Sequence, residues 1–167
     1  MHTLAGTKWI VRVLVILGLL LLAIVITGSI LPEKHMATVS RDFESSREEV
    51  WAVLSDFSKW PEWRSDLAEI RMEHNTFTEV SKNNESVEYR IEELNTPERL
   101  VTRIITPDLP YGGTWTYELA ETQTGCRITI TENGEVYNAL FRFMSKYMFG
   151  HTATMEKYLD DLKKQVN

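Results

Sequence analysis

The residues able to do chemistry are few and scattered. His2 and His35 flank an apolar run, His74 sits near a strand end, and His151 follows Gly150. None pairs with a second His, Cys or carboxylate at the spacing a metal ion needs, so no metal and no organic cofactor is expected. There is no G-x-S-x-G, and the single Cys126, in the strand-like "CRITIT", reads as a small packing residue rather than a nucleophile. His151-Thr152 follows a break in a helical pattern. It reads either as a helix-start cap, the simpler assignment, or as a base or ligand donor inside a pocket. Arg103 interrupts "LVTRIIT" on the side of Val101 and Ile105, where it either clamps an anion or snorkels at a sheet edge, the favoured reading. The glutamates alternate on outward strand faces, the usual solvated pattern.

Convergent aromatic and sulfur side chains carry more information. Leu140, Met144, Met148, Met155, Leu159 and Leu162 fall close to one helical stripe, widened by Phe141, Phe143, Tyr147 and Tyr158. Methionine fills irregular space and adapts to varied ligands. Most of this stripe reads as ordinary core. Part of it, drawn from Phe141, Met144, Met148, Met155 and Tyr158, is a candidate cavity wall facing Tyr89, Ile91, Trp115 and Tyr117 on neighbouring strands.

Several elements must position these residues. From Val13 to Leu31 the chain has nineteen residues without charge, enough at ~1.5 Å per residue for a helix spanning roughly the bilayer hydrocarbon. An uncleaved anchor is favoured over a signal peptide, since the run is long and its only small-residue cleavage candidate, Thr27-Gly28-Ser29, is poor. Lys8 and Arg12 on the short side favour a cytoplasmic N-terminus and a domain outside the cytoplasm. The expected organisation is a tail over 1–12, a membrane helix over 13–31, a connector over 32–36 and a domain over 37–167. That domain carries 15 basic and 23 acidic residues, a net charge of −8. It lacks the basic footprint of nucleic-acid binding, and an anionic membrane surface would repel it, so the helix must supply attachment.

Within the domain, Val39, Arg41 and Phe43 alternate as a strand. Ser46 and Glu49 form an S-x-x-E capping box, followed by Val50, Val53, Leu54 and Phe57 at helical spacing. "DLAEIRME", "TFTEVSK", "SVEYRIEEL", "RLVTRIIT", "GTWTYEL" and "CRITITE" read as six strands of an antiparallel sheet with one covered face. The proline-free stretch from Asn138 to Val166 reads as one helix, bent near Gly150. The fold class is α+β, a curved antiparallel sheet wrapped around a long C-terminal helix, with an N-terminal transmembrane helix.

This order and three strings, "SSREEVWAVLSDFSKWPEW", "GGTWTYEL" with "GCRITITENGEV", and "ALFRFMSKYMFGHTATMEKYLDDL", resemble the START-like, polyketide-cyclase and lipid-transport superfamily, the helix-grip fold, in a membrane-anchored bacterial subgroup. The resemblance covers about residues 38–165. It implies a pocket between the long helix and the concave sheet, with Trp60 and Trp63 of "DFSKWPEW" at its mouth. Rings there would meet an apolar ligand on one side and water at the indole N–H on the other. The alternative is that one tryptophan plugs the core and the other covers a sheet edge. The resemblance implies a bound hydrophobic small molecule or lipid as partner. A cyclase or hydrolase using His151, Arg103 or Tyr117, or an interaction domain with a filled core, is the alternative.

Overall fold

The apolar run lies inside a longer helix, α1 (Thr3–Ile30), in a computed structural model that describes residues 3–166. His2 lies outside them. α1 starts ten residues before the charge-free stretch. Its part from Lys8 to Ile30, 23 residues, is long and apolar enough to cross a membrane, and its large side chains are exposed.

The chain then runs into β1 (Lys34–Phe43), which begins earlier than the alternation from Val39 indicated, so His35 lies on a strand and not in a connector. α2 (Arg47–Ser55) starts at the expected capping box: Ser46 Oγ accepts from the Glu49 N–H at 3.3 Å, and the Ser46 N–H donates to the Glu49 carboxylate at 2.8 Å. A 3-10 turn (Phe57–Lys59) and the one-turn α3 (Trp60–Trp63) follow, with Pro61 in the first turn, where its missing N–H does no harm. Six strands come next: β2 (Leu67–Glu73), β3 (Thr76–Ser81), β4 (Ser86–Asn95), β5 (Arg99–Ile104), β6 (Tyr111–Thr122) and β7 (Gly125–Val136). They form one antiparallel sheet with β1, in the order β1-β7-β6-β5-β4-β3-β2.

Register explains the core. Val39 pairs with Ile130, Ile130 with Tyr117, and Tyr117 with Leu100, so one inward row crosses four strands. Helix α5 (Ala153–Val166) lies on that row through Met155, Tyr158, Leu159 and Leu162, all buried, and α2 closes one end with Val50, Trp51 and Leu54. Arg41 on β1 ties α5 to the sheet through Glu156 and Asp160. This is the helix-grip arrangement that the sequence pattern implied.

The C-terminal helix differs from expectation. It is not one bent rod but two pieces: α4 (Ala139–Met144), continued by a π-helical turn (Ser145–Phe149), and α5. Gly150 separates them at φ 73° and ψ −179°, a backbone region essentially reserved for glycine. A Cβ there would touch nothing within 4 Å, so the requirement is conformational and not spatial. Only α5 grips the sheet. α4 packs against the end of α1, where a Cβ on Gly28 would lie 1.9 Å from the Ala139 carbonyl oxygen. Arg142 Nε donates to the Gly28 carbonyl at 3.0 Å, and its Nη1 pairs with Glu33 at 2.9 Å.

Gly28→Leu should therefore separate α4 from α1 and leave the sheet intact. In hydrogen exchange on the detergent-solubilised chain, amides of α4 and the π-helical turn should lose protection by roughly ten-fold, a loss of about 1.4 kcal/mol in local opening free energy, while β6 and β7 amides stay unchanged.

Candidate ligand cleft and its polar end

Eight of the expected cavity residues meet on one inner wall: Trp60, Trp63, Tyr89, Ile91, Trp115, Tyr117, Met155 and Tyr158. Tyr158 stands at the centre. Its ring lies 5.8 Å from Trp60, 5.3 Å from Trp63, 6.1 Å from Trp115 and 5.6 Å from Tyr117, mostly edge to face. Tyr89 stacks on Phe77 at 5.0 Å.

The two tryptophans of α3 divide the readings between them. Trp60 is 1% exposed, and its Nε1 donates to the Leu54 carbonyl at 3.0 Å, so it plugs the core and is not a rim residue. Trp63 is also buried, yet its Nε1–H has no hydrogen-bond partner. Tyr158 Oη, beside the Tyr117 hydroxyl, likewise lacks a partner of good geometry. Trp63 Nε1–H is thus a buried donor without a protein partner, next to a tyrosine hydroxyl held only loosely by Tyr117, and native proteins rarely leave such a donor without a water or a ligand. Burial pushes the Tyr158, Tyr117 and Tyr89 phenols up, and these groups stay neutral donors at physiological pH.

An open cleft of about 260 Å³ reaches Tyr158 between the segment Arg64–Asp66 and the first turns of α5, at Ala153, Thr154 and Lys157. Arg64 forms its rim. The guanidinium lies 5.2 Å from the Trp60 ring and 5.3 Å from the Tyr158 ring, and pairs with Glu79 and Asp66. Burial alone would lower its pKa, but the Glu79 and Asp66 carboxylates outweigh that and keep it charged. Asp161 fixes the other lip by accepting from the Ser65 N–H at 3.0 Å, Ser65 Oγ at 2.7 Å and Lys157 Nζ at 2.9 Å.

A second group closes the far side of the wall. Trp115 Nε1 donates to Glu132 Oε2 at 2.9 Å, and Glu132 Oε1 lies 3.0 Å from His35 Nε2. His35 stacks on His151 at 3.8 Å, and His151 Nδ1 lies 3.0 Å from Ser145 Oγ. The His35 ring fits because residue 134 is glycine, where a Cβ would come within 2.3 Å of it. Burial and the His35 charge lower the His151 pKa, favouring neutral imidazole. The line joins β1, β6 and β7 to the helix break and gives an otherwise aromatic wall one polar end.

The remaining expectations fall elsewhere. Arg103 is exposed on the outer face of β5, the central strand and not a sheet edge, where it pairs with Glu92 and does not line the cleft at Tyr158. His151 and Tyr117 therefore do not converge with it on one reacting centre. Phe141 and Met148 are exposed and Met144 half-buried, all on the segment that leaves the sheet. Sequence reasoning missed Arg64, Glu79, His35 and Glu132. Glu79 alternates with Phe77 in "TFTEVSK" and so had to share its inward face, a signal the general outward pattern of glutamates obscured. Among the described residues no cluster of three or more His, Cys, Asp or Glu has metal-binding geometry.

A curved sheet gripping a helix, with an aromatic cluster reached by a cleft at Tyr158, defines a ligand-binding α+β fold. The chain belongs to the polyketide cyclase / dehydrase and lipid transport family, whose model matches residues 34–167. Solved structures share the fold at low identity. A protein from Mesorhizobium loti superimposes with a TM-score of 0.61 at 13% identity, over 78% of this chain and 95% of the other. A point mutant of norcoclaurine synthase from Thalictrum flavum, in complex with a transition-state analogue, gives 0.65 at 12%, over 80% and 94%. The di-domain aromatase/cyclase StfQ of the steffimycin biosynthetic pathway gives 0.63 at 15%, over 78% and 50%. No curated protein matches the chain.

Asp161 allows a pH test. Burial alone would raise its carboxyl pKa, but the bonds from Ser65 and Lys157 outweigh that and hold it well below the ordinary carboxylate range. A lowered folded pKa stabilises above the unfolded value, near 4, and that stabilisation is lost as pH falls through the folded value. Asp161→Ala should destabilise the chain by about 1.5–3 kcal/mol at pH 7. In thermal melts followed by circular dichroism, the gap between parent and variant should narrow below about pH 4 and stay constant from there to pH 8.

Proposed function

We propose that this chain is a membrane-tethered binding module that holds an apolar or amphipathic, lipid-like small molecule against the aromatic wall between sheet and α5. The observation that carries it is the pair of unpartnered donors, Trp63 Nε1–H and Tyr158 O–H, buried beside the cleft under Arg64. A ligand with an apolar body and an acceptor atom satisfies both the rings and the donors. The family's ligand-binding fold, and the small molecules held by the norcoclaurine synthase neighbours, support the reading. In this account α1 anchors the domain, with Lys8 and Arg12 on the cytoplasmic side and the domain outside. The anchor keeps the cleft close to a lipid source and raises its effective concentration there.

Trp63→Phe and Tyr158→Phe test it. Each removes one donor; Tyr158→Phe keeps its ring, whereas Trp63→Phe exchanges the indole for a smaller one. With a ligand accepting from them, each should weaken binding by roughly five-fold, about 1 kcal/mol, in native mass spectrometry of the full chain released from detergent. Tyr158→Phe should also leave the ligand-free protein as stable as the parent or more so, because no volume is lost with the buried hydroxyl, whereas Trp63→Phe should lower stability through the space its smaller ring leaves. A ligand-free mass that persists after incubation with membrane lipid extract, or an adduct indifferent to both substitutions, would contradict the reading.

A further inference from the structure

The segment that leaves the sheet presents apolar side chains that nothing among the described residues covers. Leu140, Phe141, Tyr147 and Met148, on α4 and the π-helical turn, are 37%, 44%, 59% and 66% exposed. Arg142 of the same segment is tied to α1 and Glu33. That contact sets the depth of the face. Ala139 and Arg142 meet α1 at Gly28, two residues before its end at Ile30, which at ~1.5 Å per residue is ~3 Å along the axis. Charge agrees with position. From Asn138 to His151 the chain carries Arg142 and Lys146 and no acidic residue, in a domain whose net charge is −8.

We infer that this elbow, residues 138–149, is a membrane-interface element: Leu140, Phe141, Tyr147 and Met148 insert among the headgroups of an anionic phospholipid surface, with Lys146 at the phosphates. The inference rests on the reading above that α1 spans the bilayer. If the last turn of α1 lies at the headgroup boundary, side chains bound to it lie there too. Tyrosine and phenylalanine on a cationic segment suit that layer.

Single cysteines labelled with an environment-sensitive nitrobenzoxadiazole dye report the depth. The full chain, with the buried Cys126 in place, carries Met148→Cys, Leu20→Cys or Gln123→Cys in vesicles of phosphatidylcholine and phosphatidylglycerol. Gln123 is the dry control: it lies beyond the far end of β6, whose 12 residues span ~40 Å. The label at 148 should lose roughly half its emission with lipids brominated near the headgroup. The label at 20 should be quenched by lipids brominated deep in the tails, and the label at 123 by neither. A label at 148 as unquenched as that at 123, with the label at 20 quenched, would overturn the interface element and leave the anchor standing. An unquenched label at 20 would overturn the anchor and the inference together. Self-quenching at 148 that grows with protein density, without lipid quenching, would assign the face to a second copy and overturn the inference.

Discussion

The backbone break at Gly150 decides what each half of the C-terminal segment touches. At φ 73° and ψ −179° the chain turns where a side chain is not tolerated, and the apolar stripe from Leu140 to Leu162 is cut in two. The downstream half becomes α5 and supplies Met155, Tyr158, Leu159 and Leu162 to the sheet. The upstream half is released to pack on α1 through Ala139 and Arg142. A continuous helix would have laid Met144 and Met148 along the concave face. The break instead places His151 where it stacks on His35.

What fills the wall is aromatic, and what frames it is ionic. Arg64, 8% exposed, is held between two rings and two carboxylates. Such a buried cation is tolerated because Glu79 and Asp66 compensate its desolvation, and removing either partner would leave an uncompensated charge. On the other lip, Asp161 ties α5 to Ser65. The cleft therefore has charged lips at Arg64, Asp66 and Lys157 and reaches the aromatic cluster at Tyr158.

Much of this was legible in the residues. The capping box at Ser46 and Glu49 fixed the start of α2, and strict alternation in "GTWTYEL" and "CRITITE" set the inward rows, because antiparallel strands with one covered face must repeat every two residues. The same alternation put Tyr89, Trp115 and Tyr117 on the inward face, and helical spacing put Tyr158 beside them. The missed features depend on tertiary context. His35 sits where a polar connector and an early strand look alike, and only Gly134 across the sheet makes room for its ring. The stripe through Phe141 and Met148 obeys helical spacing whether it faces a sheet or a bilayer, so periodicity could not tell which partner it met. Arg64 follows Trp63 like any surface arginine until Glu79, fifteen residues on, folds over it.

Photo-crosslinking in native membranes tests the central claim most directly. The full chain would be expressed in cells fed a diazirine-bearing fatty acid, irradiated, and digested for peptide mass spectrometry. The account predicts crosslinked lipid on peptides containing Trp63–Asp66 and Ala153–Tyr158, reduced when Tyr158 is replaced by phenylalanine. Lipid attached only to α1 and the elbow, with none on those two segments, would contradict it and leave a tethered domain whose interior holds no lipid.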